Sequence, residues 1–188
     1  MARTKEFDKA EALNAAVEVF REHGFAGSSA EMLTRAMGIG RQSLYDTFGD
    51  KWQLYCEAVR RYADAEREQH LQALNGSARA IDGIARMLDR VVADAKRACL
   101  GVSSISEFGC SRKELRDIHS AADRALRAAV VKKADEAYAQ GDIRRDLASP
   151  DAAAFVLANL AAIRLAARGG ASLAQLRSLS ACVLQALK

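Results

Sequence analysis

A chain with one proline in 188 residues contains almost nothing that interrupts a helix, because proline is the residue that removes a backbone donor and clashes with the preceding turn. Alanine, the best helix former, fills about a fifth of the positions. Hydrophobic residues make up 50% and charged residues 28%, a globular composition that excludes disorder and collagen-like repeats. The expectation is an all-α protein.

Apolar residues recur at helical spacing almost end to end, with Gly, Ser and Asn as punctuation, and about nine helices are predicted. The first runs from about Phe7 to His23 and stops at Gly24. Ser28-Ser29-Ala30-Glu31 sets a hydroxyl three residues before a carboxylate, the reciprocal helix start. A short helix ends at Met37, Gly38-Ile39-Gly40 permits only a tight turn, and a second short helix covers Arg41 to Phe48. Two short helices joined by a glycine turn read as helix-turn-helix, which gives a three-helix domain over residues 1–50. The remainder, 51–188, forms a second domain that begins with a linking helix at 51–74. Ser149-Pro150-Asp151 is expected to cap a helix that ends at Arg168, with Pro150 in its first position. That helix is apolar on nearly every face, and so is expected to need a second subunit to cover it. Leu160, Ile163, Arg164, Leu176, Leu179 and Val183 are the candidate dimer contacts.

The formal net charge is +4, which leans towards an anionic partner. It does not locate one, since residues 1–52 carry seven Lys/Arg against eight Asp/Glu. Cys56, Cys99, Cys110 and Cys182 are far apart and lack CxxC pairing or neighbouring histidines, so no metal site and no disulfide framework is expected. Mostly buried free thiols are. Cys99 and Cys110 flank one short helix and could report oxidation, against the plainer reading that both are small buried hydrophobes. The start, MARTKEFD, lacks the apolar segment of a signal peptide. The longest apolar run, Ala152 to Ala167, is broken by Asn159 and Arg164 and falls short of the ~20 residues of a membrane span. A cytoplasmic location away from the membrane is expected. GxSxG, HExxH, GxxxxGK and GxGxxG are all absent, so neither an enzyme nor a bound cofactor is indicated.

Residues 13–54 resemble the DNA-binding domain of tetracycline-repressor-like (TetR family) transcriptional regulators. The resemblance rests on Ala15, Ala16, Phe20, Gly24, Phe25, Ser28, Ser29, Leu33, Ala36, Gly38, Ile39, Ser43, Leu44, Tyr45, Phe48, Lys51 and Leu54 at fixed spacing. Looser likeness at Ala139 to Ile143, Leu160 to Gly170 and Ala171 to Leu173 extends it over essentially the whole chain. The resemblance implies a bacterial homodimer that represses transcription from a roughly palindromic double-stranded operator and releases it when a small molecule binds the C-terminal domain.

The chemistry of the short helices agrees. In this motif the N-terminal residues of the second helix enter the major groove, and there Arg41 can donate to guanine and Gln42 to adenine. Ser43, Tyr45 and Thr47 follow as backbone or base contacts. Lys51, Ser28 and Ser29 stand at helix starts, where amides and dipole favour a phosphate. Asp46 would be repelled by phosphate and is left out of the site. Arg3 and Lys5 form a candidate basic arm. For the effector, the resemblance places a pocket among helices four to eight, with Met87, Leu100, Ser103, Ser104, Glu107, Phe108, His119 and Asn159 as candidate lining. The rival reading is a helical small-molecule-binding or scaffold protein with a non-functional DNA-binding head. The DNA-competent chemistry of Arg41, Gln42, Tyr45 and Lys51 argues against it.

Overall fold

The computed structural model describes residues 7–188, so the candidate arm at Arg3 and Lys5 lies outside the described residues. Among the described residues the chain forms nine helices and no strand: α1 Lys9–His23, α2 Ala30–Met37, α3 Arg41–Phe48, α4 Lys51–Asn75, α5 Ala80–Ala93, α6 Leu100–Phe108, α7 Lys113–Ala139, α8 Ser149–Arg168 and α9 Leu173–Leu187.

Local chemistry explains most of the boundaries. The Asp8 carboxylate accepts from the Ala10 and Glu11 amides at 2.7 and 3.1 Å and opens α1. The Ser29 hydroxyl accepts from the Met32 amide at 3.1 Å and opens α2. The expected Ser28–Glu31 cap does not form. Ser28 belongs to the preceding turn, where it is buried and its hydroxyl donates to the Phe25 carbonyl at 3.0 Å. Gly38 ends α2 at φ +67° and ψ +25°, a conformation that costs a side-chain-bearing residue free energy. The Ile39 amide then reaches back to the Thr34 carbonyl at 3.2 Å, closing the turn that aims α3. Helix α8 starts earlier than expected: Ala148 is the extended residue before it, so Ser149 and Pro150 lie inside its first turn and Ser149 is not the cap. The proline is tolerated because first-turn amides have no intrahelical acceptor.

The chain packs as two compact units. The first contains α1 to α3, α4 as far as Asp64, α6, and α7 as far as His119. Phe20, Leu33, Leu44, Leu54, Tyr55, Leu100 and Leu115 fill its core. The second holds the remainder of α4 and α7 with α5, α8 and α9, around Ile84, Met87, Leu88, Val130, Val156, Ile163 and Leu187. The packing boundary therefore differs from the division expected after residue 50, because the first turns of α4 and the whole of α6 share the core of the short helices.

Helix α8 is the one described helix long and apolar enough, by length and composition, to cross a membrane. At 20 residues it exceeds the expected run because it begins at Ser149. Ala152, Val156, Leu160, Ile163 and Arg164 nevertheless bury one side of it within the second unit.

Candidate nucleic-acid interface

Helix α3 is seated by Leu44 and Phe48, one turn apart and 1% and 2% exposed. Burying that pair turns the opposite face to solvent, where Arg41, Gln42 and Asp46 are exposed, while Ser43, Tyr45 and Thr47 are half-buried. The Arg41 guanidinium lies 5.7 Å from the centre of the Tyr45 ring, close enough for the ring to steady it. Gln42 Nε2 donates to Asp46 at 2.8 Å. Asp46 therefore has a role that the sequence does not reveal, orienting the amide beside it. One amide hydrogen and Oε1 remain on Gln42, the pair an adenine edge requires.

The phosphate candidates divide. Ser29 is exposed, and its hydroxyl hydrogen is free to donate while its oxygen caps α2. Ser28 is 3% exposed with its hydroxyl committed to Phe25, so its side chain does not face a ligand. Lys51 Nζ donates to the Phe25 carbonyl at 2.6 Å and sits 4.4 Å from the Phe25 ring centre. An ammonium has three donors, which leaves two for a phosphate, but the first task of Lys51 is to pin the α1–α2 turn. Asp50 accepts from the Gln53 amide at 2.8 Å, so a carboxylate already occupies part of the helix start expected to attract phosphate.

Beneath this surface lies an aromatic cluster not anticipated from the sequence. The Phe25 ring meets Trp52, Tyr55 and Phe108 at centroid distances of 5.5, 5.2 and 5.7 Å, and the Arg112 guanidinium stands 4.8 Å from the Trp52 ring centre. The Trp52 and Tyr55 spacing on α4 was the available signal.

The eight candidate effector residues do not form one group within either unit. Leu100, Ser103, Ser104, Glu107, Phe108 and His119 belong to the first, Met87 and Asn159 to the second. Met87 and Leu100 are fully buried core residues, Phe108 belongs to the aromatic cluster, and Asn159 Nδ2 donates to the Phe155 carbonyl of its own helix at 2.9 Å. Glu107 is bound to the α1–α2 turn, its Oε2 accepting from the Phe25 amide at 3.0 Å and its Oε1 from the Ala26 amide at 2.9 Å. Ser104 Oγ and His119 Nε2 are 3.0 Å apart, and burial lowers the His119 pKa, favouring its neutral form. Tyr55, fully buried, has its hydroxyl pKa pushed up to about 12 by burial. The second unit also has a cleft of about 640 Å³ that includes Val92, Lys96, Leu173 and Arg177 and none of the eight.

A charged cluster inside the second unit was also missed. Glu66 Oε2 on α4 accepts from Arg90 of α5 at 2.9 Å and Arg164 of α8 at 2.6 Å. Burial alone would raise the Glu66 carboxyl, but the Arg90 hydrogen bond and the Arg164 and Arg90 charges hold it below its usual pKa. His70 Nε2 lies 2.9 Å from Arg90 Nη2, and burial, reinforced by Arg90, pushes the imidazole down to about 4. The signal was Arg164 inside the most apolar helix.

Five of the six candidate dimer contacts, Leu160, Ile163, Arg164, Leu176 and Val183, are buried within their own unit. Their side chains pack inside the subunit, around the core of the second unit. Leu179 is exposed, as are Phe155, Leu165 and Leu173. The thiols depart from expectation too: Cys56 and Cys99 are half-buried, but Cys110 and Cys182 are exposed. Burial pushes the Cys56 thiol up to about 11.

Residues 12–58 match a family described as bacterial regulatory proteins, tetR family. Over 74 residues the chain is 45% identical to the uncharacterized HTH-type transcriptional regulator YezE of Bacillus subtilis (strain 168), a match spanning 39% of this chain and 38% of that protein. It is 23% identical over 193 residues to the HTH-type transcriptional repressor ComR of Escherichia coli (strain K12), covering 97% of this chain and 90% of ComR. Among solved structures it is similar to a cysteine-substituted TetR family transcriptional regulator, CifR, complexed with 26-bp double-strand operator DNA. The TM-score is 0.84 at 27% identity, over 100% of both chains.

Proposed function

We propose that the chain, which matches the tetR family of bacterial regulatory proteins over residues 12–58, is a DNA-binding transcriptional regulator: a repressor that binds a palindromic operator as a homodimer and releases it when a small-molecule effector binds. The observation that carries this reading is α3 itself, with Arg41 and Gln42 exposed on its first turn above the buried Leu44 and Phe48. A guanidinium and a preoriented amide at that position are the groups that read guanine and adenine in the major groove. Arg41 and Gln42 contact base edges, with Ser43, Tyr45 and Thr47 at the groove wall. Lys51 and Ser29 hold phosphates, with Lys51 also bonded to Phe25. The DNA-reading domain is residues 1–50, and residues 51–188 bind effector and partner. It works in the cytoplasm, where the DNA is, and catalyses no reaction.

Two copies associate through the exposed side of α8 and α9. Phe155, Leu165, Leu173 and Leu179 supply apolar area there, of the kind that marks an interface on an otherwise polar surface. Effector binding releases the operator to the extent that it binds the DNA-incompetent state more tightly, typically a coupling of about 1–3 kcal/mol. Ser103, Ser104 and His119 remain the candidate effector contacts, joined by the Tyr55 hydroxyl. Selection of random duplex DNA with the full-length protein tests the reading. A palindrome with half-site centres about 34–36 Å apart is expected; no enrichment at low salt would refute it.

A further inference from the structure

Phe25, in the turn between α1 and α2, is held at its amide, its carbonyl and its ring within the first unit. Its amide and that of Ala26 each donate to one oxygen of the Glu107 carboxylate, at 3.0 and 2.9 Å. Its carbonyl accepts from Lys51 Nζ at 2.6 Å. Its ring packs edge-on against Trp52, Tyr55 and Phe108. Two successive amides converging on one carboxylate make a two-point grip, and ionised acceptors give the stronger class of hydrogen bond. Gly24 suits the turn, since its φ is +68° and a Cβ there would press on Glu107 Oε2 at 3.1 Å.

Glu107 is not near this turn in the chain. It lies in the last turn of α6, separated from Phe25 by 82 positions. The chain enters the first unit at Cys99, runs through α6 and leaves it after His119, so this excursion brings a carboxylate to the turn that leads into α2. That turn fixes where α2 begins, and α2 passes through Gly38 into α3 with two intervening residues, Ile39 and Gly40. A grip on Phe25 and Ala26 is thus a grip on the base of the helix-turn-helix.

We infer that Glu107 is a positioning residue for DNA reading: its carboxylate latches the α1–α2 turn to α6, and the recognition helix holds its operator-reading pose only with the latch closed. The inference rests on the proposed DNA-binding function but does not need it for its first readout. Glu107 itself touches no base; it acts through the two amides.

Glu107→Ala and Glu107→Gln in the full-length protein test this. Both remove the same negative charge, but Gln keeps a carbonyl oxygen that can accept one of the two amides. Hydrogen exchange without DNA is expected to accelerate at Phe25 and Ala26 by about tenfold or more in the Ala variant, with Gln intermediate. Preference for the selected operator over a scrambled duplex is expected to fall about tenfold with Ala and less with Gln, while non-specific binding, which needs charge rather than pose, changes equally in both. Unchanged exchange at Phe25 and Ala26 means there is no latch. Faster exchange with an unchanged operator preference makes Glu107 a stabilising residue only and overturns the positioning role. If the wild-type protein itself shows no preference, the DNA-reading function fails, and the positioning role fails with it.

Discussion

Arg41 and Lys51 are both basic residues near a helix start, yet they do different work. Arg41 is exposed, 5.7 Å from the Tyr45 ring, and its donors face solvent where a guanine edge would lie. Replacing it with Ala should cost about 1–3 kcal/mol of operator affinity and relax base preference at one position; equal affinity and preference would remove its assigned role. Lys51 spends a donor on a carbonyl 26 positions away, a partner that no local pattern announces. Ser28 and Ser29 teach the same lesson. Both are good caps by residue type, and which one faces outward depends on the turn closed by the Phe25 carbonyl. Residue types on α3 were legible because Leu44 and Phe48 define its buried side by spacing alone, whereas the Glu107 grip joins elements whose pairing the sequence does not encode locally.

At the scale of elements, helix ends were readable where a glycine marked them, as at Gly24 and Gly38. Helix α8 was not. Its apolar residues cover nearly every face, so periodicity could not say which side meets its own unit and which faces outward. The Glu66 cluster ties α4, α5 and α8 together, and His70 beside it sets a pH dependence. An imidazole held near 4 in the folded protein, against about 6.5 unfolded, is protonated in the unfolded chain first. Stability should therefore be fully present above the unfolded value and decline as pH falls from there towards the folded one, reaching a loss of ~2 kcal/mol from this group by about pH 5. Gln at His70 stays neutral and can still accept from Arg90. Denaturant titrations at pH 7 and pH 5 should show a smaller acid loss in His70→Gln than in wild type. Equal losses would mean that His70 is not the titrating group.

For the whole molecule, burial separates residues that sequence placed together. Leu165 is 62% exposed and Leu160 is 6% exposed, although both lie on α8. Leu165→Asp should leave a folded protein whose dimer is weakened by about 2 kcal/mol or more, seen as dissociation in sedimentation. Leu160→Asp should instead lower the melting temperature sharply, because a charge is forced into a core. Wild-type sedimentation of Leu165→Asp would move the interface elsewhere. The positive balance of the chain does not locate the proposed DNA surface, which rests on a few placed groups. Titrating the full-length protein against its selected duplex and a scrambled one, across a range of salt, measures whether those groups read sequence. Two chains per palindromic duplex, with affinity about 10³-fold or more above the scrambled DNA, is the expected result; equal affinity for both duplexes at every salt concentration would contradict a sequence-reading α3.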